Sequence, residues 1–136
     1  MGDAALVLWC ASAAVGTYLL VAWLSHGGLR GQATRVTVFP ATLIFAHPLL
    51  ALSGLALWIA YLVTGAGGLA WTAFALVCAT ALLGFVMFTR WLGGLGGRHA
   101  RASGQQFPVT AIALHVAVGL LTFILVLLAA GLAGRR

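Results

Sequence analysis

The sequence predicts an all-α membrane protein, a four-transmembrane-helix bundle built from two parallel-repeated helical hairpins. Three observations predict it: a composition too apolar for water, four apolar runs of spanning length, and a self-match at a shift of 68 residues. The 136 residues are 63% hydrophobic and 6% charged, with a mean hydropathy of +1.14. A water-soluble surface carries roughly a quarter or more Lys, Arg, Glu and Asp, so the lipid bilayer is the expected surroundings. Asp3 is the only acid, and all seven basic residues are Arg. The net charge of +6 does not point to nucleic acid, because the Arg lie between or after apolar runs and act there as membrane-flanking anchors. Cys10 and Cys78 lie inside apolar runs and are too few for a disulfide scaffold.

Four runs reach the roughly 20 residues that a hydrocarbon core of about 30 Å requires: about Ala4–Leu24, Ala41–Val63, Leu69–Thr89 and Val109–Ala133. The first has Asp3 in place of a basic leader and is too long for the apolar part of a signal peptide, so it is read as a true span. Phe39-Pro40 and Phe107-Pro108 open the second and fourth spans, with Pro where a first turn needs no donor. Thr64-Gly-Ala-Gly-Gly68 predicts a tight turn that makes spans two and three antiparallel neighbours. The loops 25–38 and 93–106 hold Arg30, Arg35, Arg98 and Arg101, with Arg90 at the preceding span end, against Arg135 and Arg136 on the other side. The Arg bias therefore places the long loops in the cytoplasm and both termini outside, in a cell membrane expected to be bacterial.

The repeat organises the chain as one transmembrane domain, 1–136, with halves of about 1–68 and 69–136. Phe39-Pro40-x-Thr42-x-x-x-x-His47 falls on Phe107-Pro108-x-Thr110-x-x-x-x-His115, and upstream Cys10 falls on Cys78, Gly16 on Gly84, Trp23 on Trp91 and Arg30 on Arg98. From Ala5–Gly65 to Ala73–Ala133, 17 of 61 positions are identical, more than shared Ala and Leu explain. Two spans separate equivalent points, so the halves enter the bilayer the same way, related by a pseudo-two-fold axis along its normal. His47 and His115 then lie at one depth, roughly 12 Å below the cytoplasmic interface at about 1.5 Å per residue.

An unpartnered imidazole in hydrocarbon costs on the order of 2–7 kcal/mol, so intramembrane His normally faces the bundle interior. Small residues, Gly16, Gly84, Gly54 and Gly119, together with Ala51 and Thr122, are expected to leave a flat slot between the four helices. Paired imidazoles beside such a slot suit two axial ligands of one haem iron. Zinc or copper is less favoured, because the spans offer no carboxylate or thiolate at that level. The bland alternative is that Thr hydroxyls or backbone carbonyls satisfy the pair and the small residues serve only close helix packing.

His47-Pro-Leu-Leu-Ala-Leu-Ser-Gly54 resembles the His-Pro-Leu-Leu segment of the second core helix of the cytochrome b-561 family. Leu114-His115-x-x-x-Gly119-Leu-Leu-Thr122 resembles the Leu-His-x-x-x-Gly-Leu segment of its fourth core helix. The resemblance spans the four-helix core and implies that His47 and His115 together ligate one haem b. It departs from the family in having no His in helix three, around Ala81, and no fifth helix, so the second haem of that family is not expected. One haem about 12 Å from one face lies about 18 Å from the other in a ~30 Å core. Another redox subunit, a homodimer partner or a quinone would have to complete any electron path.

Arg30 and Arg98 lie on the His side of the membrane, where haem propionates would meet their guanidinium forks; binding of anionic headgroups is the alternative. His26 and His99 are expected to be solvated, and the five Trp to form interfacial belts. No hydrolytic triad or carboxylate pair exists. The expectation is an electron-transfer haem protein or oxidoreductase subunit and not a stand-alone enzyme. A cofactor-free accessory subunit and a small transporter are the alternatives.

Overall fold

The computed structural model describes residues 1–29, 39–95 and 108–133, and these form an all-α bundle of four long apolar helices: α1 (Gly2–Ser25), α2 (Ala41–Thr64), α3 (Gly67–Leu95) and α4 (Val109–Ala133). All four are long and apolar enough to cross a membrane, which makes the chain an integral membrane protein. Arg30, Arg35, Arg98, His99, Arg101, Phe107, Arg135 and Arg136 lie outside the described residues.

Local chemistry sets the helix ends. Asp3 sits in the first turn of α1, where a negative charge meets the positive end of the helix dipole. Beyond its last residue, Gly27 adopts a left-handed φ of 79°. Pro40 precedes α2, and its carbonyl accepts from the N–H groups of Leu43 and Ile44. Pro48 lies inside α2 without ending it, as transmembrane helices tolerate. Gly65 closes α2 with φ 73°, its N–H donating to the Tyr61 carbonyl at 2.8 Å, the left-handed cap that glycine adopts without steric cost.

The turn is shorter than the glycine run predicts. The cap at Gly65 reverses the chain at once, so Gly67 and Gly68 open α3. Gly67 has a second role there, since a Cβ on it would stand 3.3 Å from the Ala133 carbonyl oxygen at the end of α4. At its other end α3 continues past the expected Thr89 to Leu95. Arg90 and Leu92 are good helix formers, and a helix does not have to stop where the hydrocarbon does.

The helices form a four-cornered bundle in which α1 packs most extensively on α4 and α2 on α3, with lesser contacts for α3 on α4 and α1 on α2. Each tight pair thus takes one helix from each sequence half. At the end carrying the α2–α3 turn, Ala5, Trp9, Trp58, Ala73, Val77 and Val126 form a dense core. Trp58 is wholly buried, its ring 6.5 Å from that of Trp9, and its Nε1–H donates to the Gly2 carbonyl at 3.3 Å. At the opposite end Trp23, Phe39 and Ile44 make a smaller cluster. Trp9, Trp23 and Trp58 therefore turn inward and are not belt residues, whereas Trp71 remains exposed. Bulk wins here, because lipid is as apolar as the interior and helix association depends on close packing. Trp58→Ala removes the largest wholly packed ring at the turn end and is expected to destabilise the bundle toward the lower end of ~3–5 kcal/mol, read as a lower denaturation midpoint in detergent.

Candidate haem-ligand site

Between the two apolar clusters the packing changes. Down to Ser12, α1 contributes buried residues at Ala5, Trp9 and Ser12, about one per turn. From 13 to 22 it contributes none, and the same holds for 45–53 on α2, 78–93 on α3 and 109–121 on α4. Ten helical residues make almost three turns, so every helix turns some side chains inward at this level, yet none of them is fully buried. That is the level of His47 and His115, both half-buried.

His47 on α2 and His115 on α4 occupy diagonally opposite corners, and their rings meet edge to face, with centroids 6.1 Å apart and planes at 66°. Each ring is tethered to the neighbouring helix of the other sequence half. His47 Nδ1 lies 3.0 Å from the Thr80 carbonyl oxygen on α3, and His115 Nδ1 lies 3.0 Å from the Ser12 carbonyl oxygen on α1. Ser12 and Thr80, like the two histidines, are related by the 68-residue shift. A carbonyl only accepts, so in the neutral ring Nδ1 carries the proton and Nε2 the lone pair. No hydrogen bond to either Nε2 is found among the described residues.

The glycines seat these rings. A Cβ on Gly16 would stand 3.0 Å from His115 Cε1 and 3.6 Å from its Nδ1, and a Cβ on Gly84 would stand 3.1 Å from His47 Cε1 and 3.6 Å from its Nδ1. Their bareness lets each imidazole lie against the facing backbone and reach the carbonyl one turn earlier. Gly119 faces Ser12, its Cβ position 3.7 Å from the Ser12 Oγ. Gly54 is placed differently: a Cβ there would meet Trp9 at 3.0 Å and Leu76 at 3.3 Å, so it serves the dense core at the turn end and does not touch either ring. Arg30 and Arg98 lie outside the described residues.

This donor set fits a bis-imidazole metal site. Two metal–nitrogen bonds of about 2 Å, each to a ring nitrogen roughly an ångström from its centroid, set the centroids about 6 Å apart. Metal-bound His typically donates its other ring N–H to a carbonyl or carboxylate, which fixes the tautomer and raises ligand basicity. Both rings have that arrangement. No group of three or more His, Cys, Asp or Glu occurs among the described residues. Cys10 is exposed and Cys78 half-buried, both free, and they lie on α1 and α3, not on the helices that carry the histidines.

Residue-type reasoning missed Ser12 and Thr80, which act through their main chains. Their one signal was the repeat itself, which pairs a Ser with a Thr one turn before the paired glycines. His26 is exposed at the end of α1, its Nδ1 2.7 Å from the Ala22 carbonyl oxygen, and takes no part in the site. No protein-family model, curated protein or solved structure matches the chain.

Proposed function

We propose that the chain is an integral membrane electron carrier that holds one haem b through His47 and His115, as a subunit of a larger redox assembly. The carrying observation is the pair of adjacent imidazoles, 6.1 Å apart, each tethered through Nδ1 to the opposite repeat and each with an Nε2 that has no hydrogen bond among the described residues. The b-type haem supplies reversible one-electron chemistry. The chain contributes two neutral ligands, a water-poor surrounding and fixed ring orientations. With His47 and His115 both held by the iron, the chain would leave it no open position for substrate, so the reading is electron transfer and not catalysis. The likeness of the His47 and His115 segments to the cytochrome b-561 core supports the same reading.

Arg30 and Arg98 are proposed as propionate partners, with the long loops on the cytoplasmic side and the termini outside. A site so near one face needs a second carrier, which a redox subunit, a quinone or a second copy of the chain would supply. The alternative of a cofactor-free accessory subunit draws on the two Nδ1 bonds, which already satisfy one nitrogen of each ring. A dithionite-reduced minus oxidised spectrum of the purified chain from haem-replete cells separates the two. The proposal expects a sharp b-type α-band, whereas colourless protein would overturn it and support a cofactor-free reading.

A further inference from the structure

The backbone around the two imidazoles keeps the repeat symmetry, but one side chain breaks it. Hydroxyls in these spans close on their own helices: Thr17 donates to the Ala13 carbonyl, Ser53 to Leu49, Thr80 to Leu76 and Thr122 to Val118, at 2.8–2.9 Å. That i−4 bond is the ready choice for a hydroxyl in an apolar helix. Ser12 departs from it. Its buried Oγ lies 3.5 Å from His115 Nδ1, and no bond from it to an α1 carbonyl is found among the described residues. The repeat-related Thr80 hydroxyl is turned away onto Leu76, so His47 Nδ1 meets the Thr80 carbonyl and no hydroxyl.

We infer that Ser12 is a positioning residue for His115, its hydroxyl oxygen taking a second, weaker share of the Nδ1–H already held by its own carbonyl, a contact that His47 lacks. Shared three-centre bonds of this kind are common in helical proteins. A second acceptor on Nδ1–H pushes electron density toward Nε2. The redox consequence rests on the haem reading: a more electron-rich Nε2 on a bound iron would favour its ferric over its ferrous state. The contact itself does not depend on that reading.

The test uses the full chain purified in detergent. Ser12→Ala is expected to keep its haem and raise the ferrous-to-ferric ratio at a fixed potential by roughly threefold, the worth of a weak hydrogen bond. Ser53→Ala, whose exposed hydroxyl closes on Leu49, leaves the ratio unchanged. In haem-free chain with labelled histidines, the Nδ1 proton resonance of His115 moves in Ser12→Ala while that of His47 stays. An unchanged ratio in Ser12→Ala overturns the inference. A wild-type chain that takes up no haem but shows the His115 resonance shift rejects the haem reading and upholds the Ser12 contact, whereas a resonance that does not move rejects the contact itself.

Discussion

His47→Ala and His115→Ala are each expected to give a folded, membrane-inserted chain that has lost nearly all of its haem. Changing an outer hydrogen-bond partner of a metal ligand costs about 10–100-fold in affinity, and removing the ligand itself costs more. The fold should survive, because each ring contributes one N–H···O=C bond to the bundle, worth about 1 kcal/mol. The dense core of Trp9, Trp58 and Val126 lies elsewhere. Either substitution alone should suffice, since the two rings sit on diagonal helices and neither can replace the other. Imidazole added to His47→Ala should restore part of the b-type spectrum by entering the space of the deleted ring. The measurement is haem per chain after gel filtration, and full retention in either variant would remove that residue from the site.

The next largest effect is expected at the two glycines beneath the rings. Gly16→Leu and Gly84→Leu place a side chain where even a Cβ stands 3.0 Å from His115 Cε1 or 3.1 Å from His47 Cε1. The imidazole must then leave its carbonyl, rotate, and take Nε2 out of line with its partner. Such overpacking typically costs about 1–3 kcal/mol of stability, which the bundle can bear, but ligation depends on direction and not on burial. Haem content should therefore collapse while the helical content stays. Gly16→Ala and Gly84→Ala should be milder, on the order of tenfold in haem affinity, the lower range for a disturbed ligand support. Gly131→Leu, at a position with nothing within 4 Å of the added Cβ, should leave haem content intact. Equal losses at Gly131 and Gly16 would mean that any bulky residue in a span has this effect.

Much of the framework is legible in the sequence because lipid imposes coarse demands. Span length follows from bilayer thickness, and the starts of α2 and α4 follow from Pro40 and Pro108, so both starts agree with the structure. The equal depth of His47 and His115 follows from the 68-residue repeat, and the structure brings the rings together edge to face, with centroids 6.1 Å apart. Other features had no residue code to read. The acceptors for both rings are main-chain carbonyls, which every residue carries, so nothing in the letters Ser12 and Thr80 marks them out. Gly54 and Gly16 look alike in sequence, yet one abuts the Trp9 indole and the other an imidazole, a difference set by helix rotation. Trp9 and Trp58 read as interfacial from their nearness to span ends, but on their helices those positions face the bundle axis. The early reversal after Thr64 reflects a single left-handed glycine, which a run of three glycines in five residues could not locate.

Both imidazoles are proposed to close on the same iron. The low-temperature electron paramagnetic resonance spectrum of the ferric, haem-loaded chain tests it most directly. Two neutral imidazoles with planes at 66°, far from parallel, predict a low-spin signal of high anisotropy and no high-spin component. A dominant high-spin signal, the mark of iron held by one ring, would contradict the account.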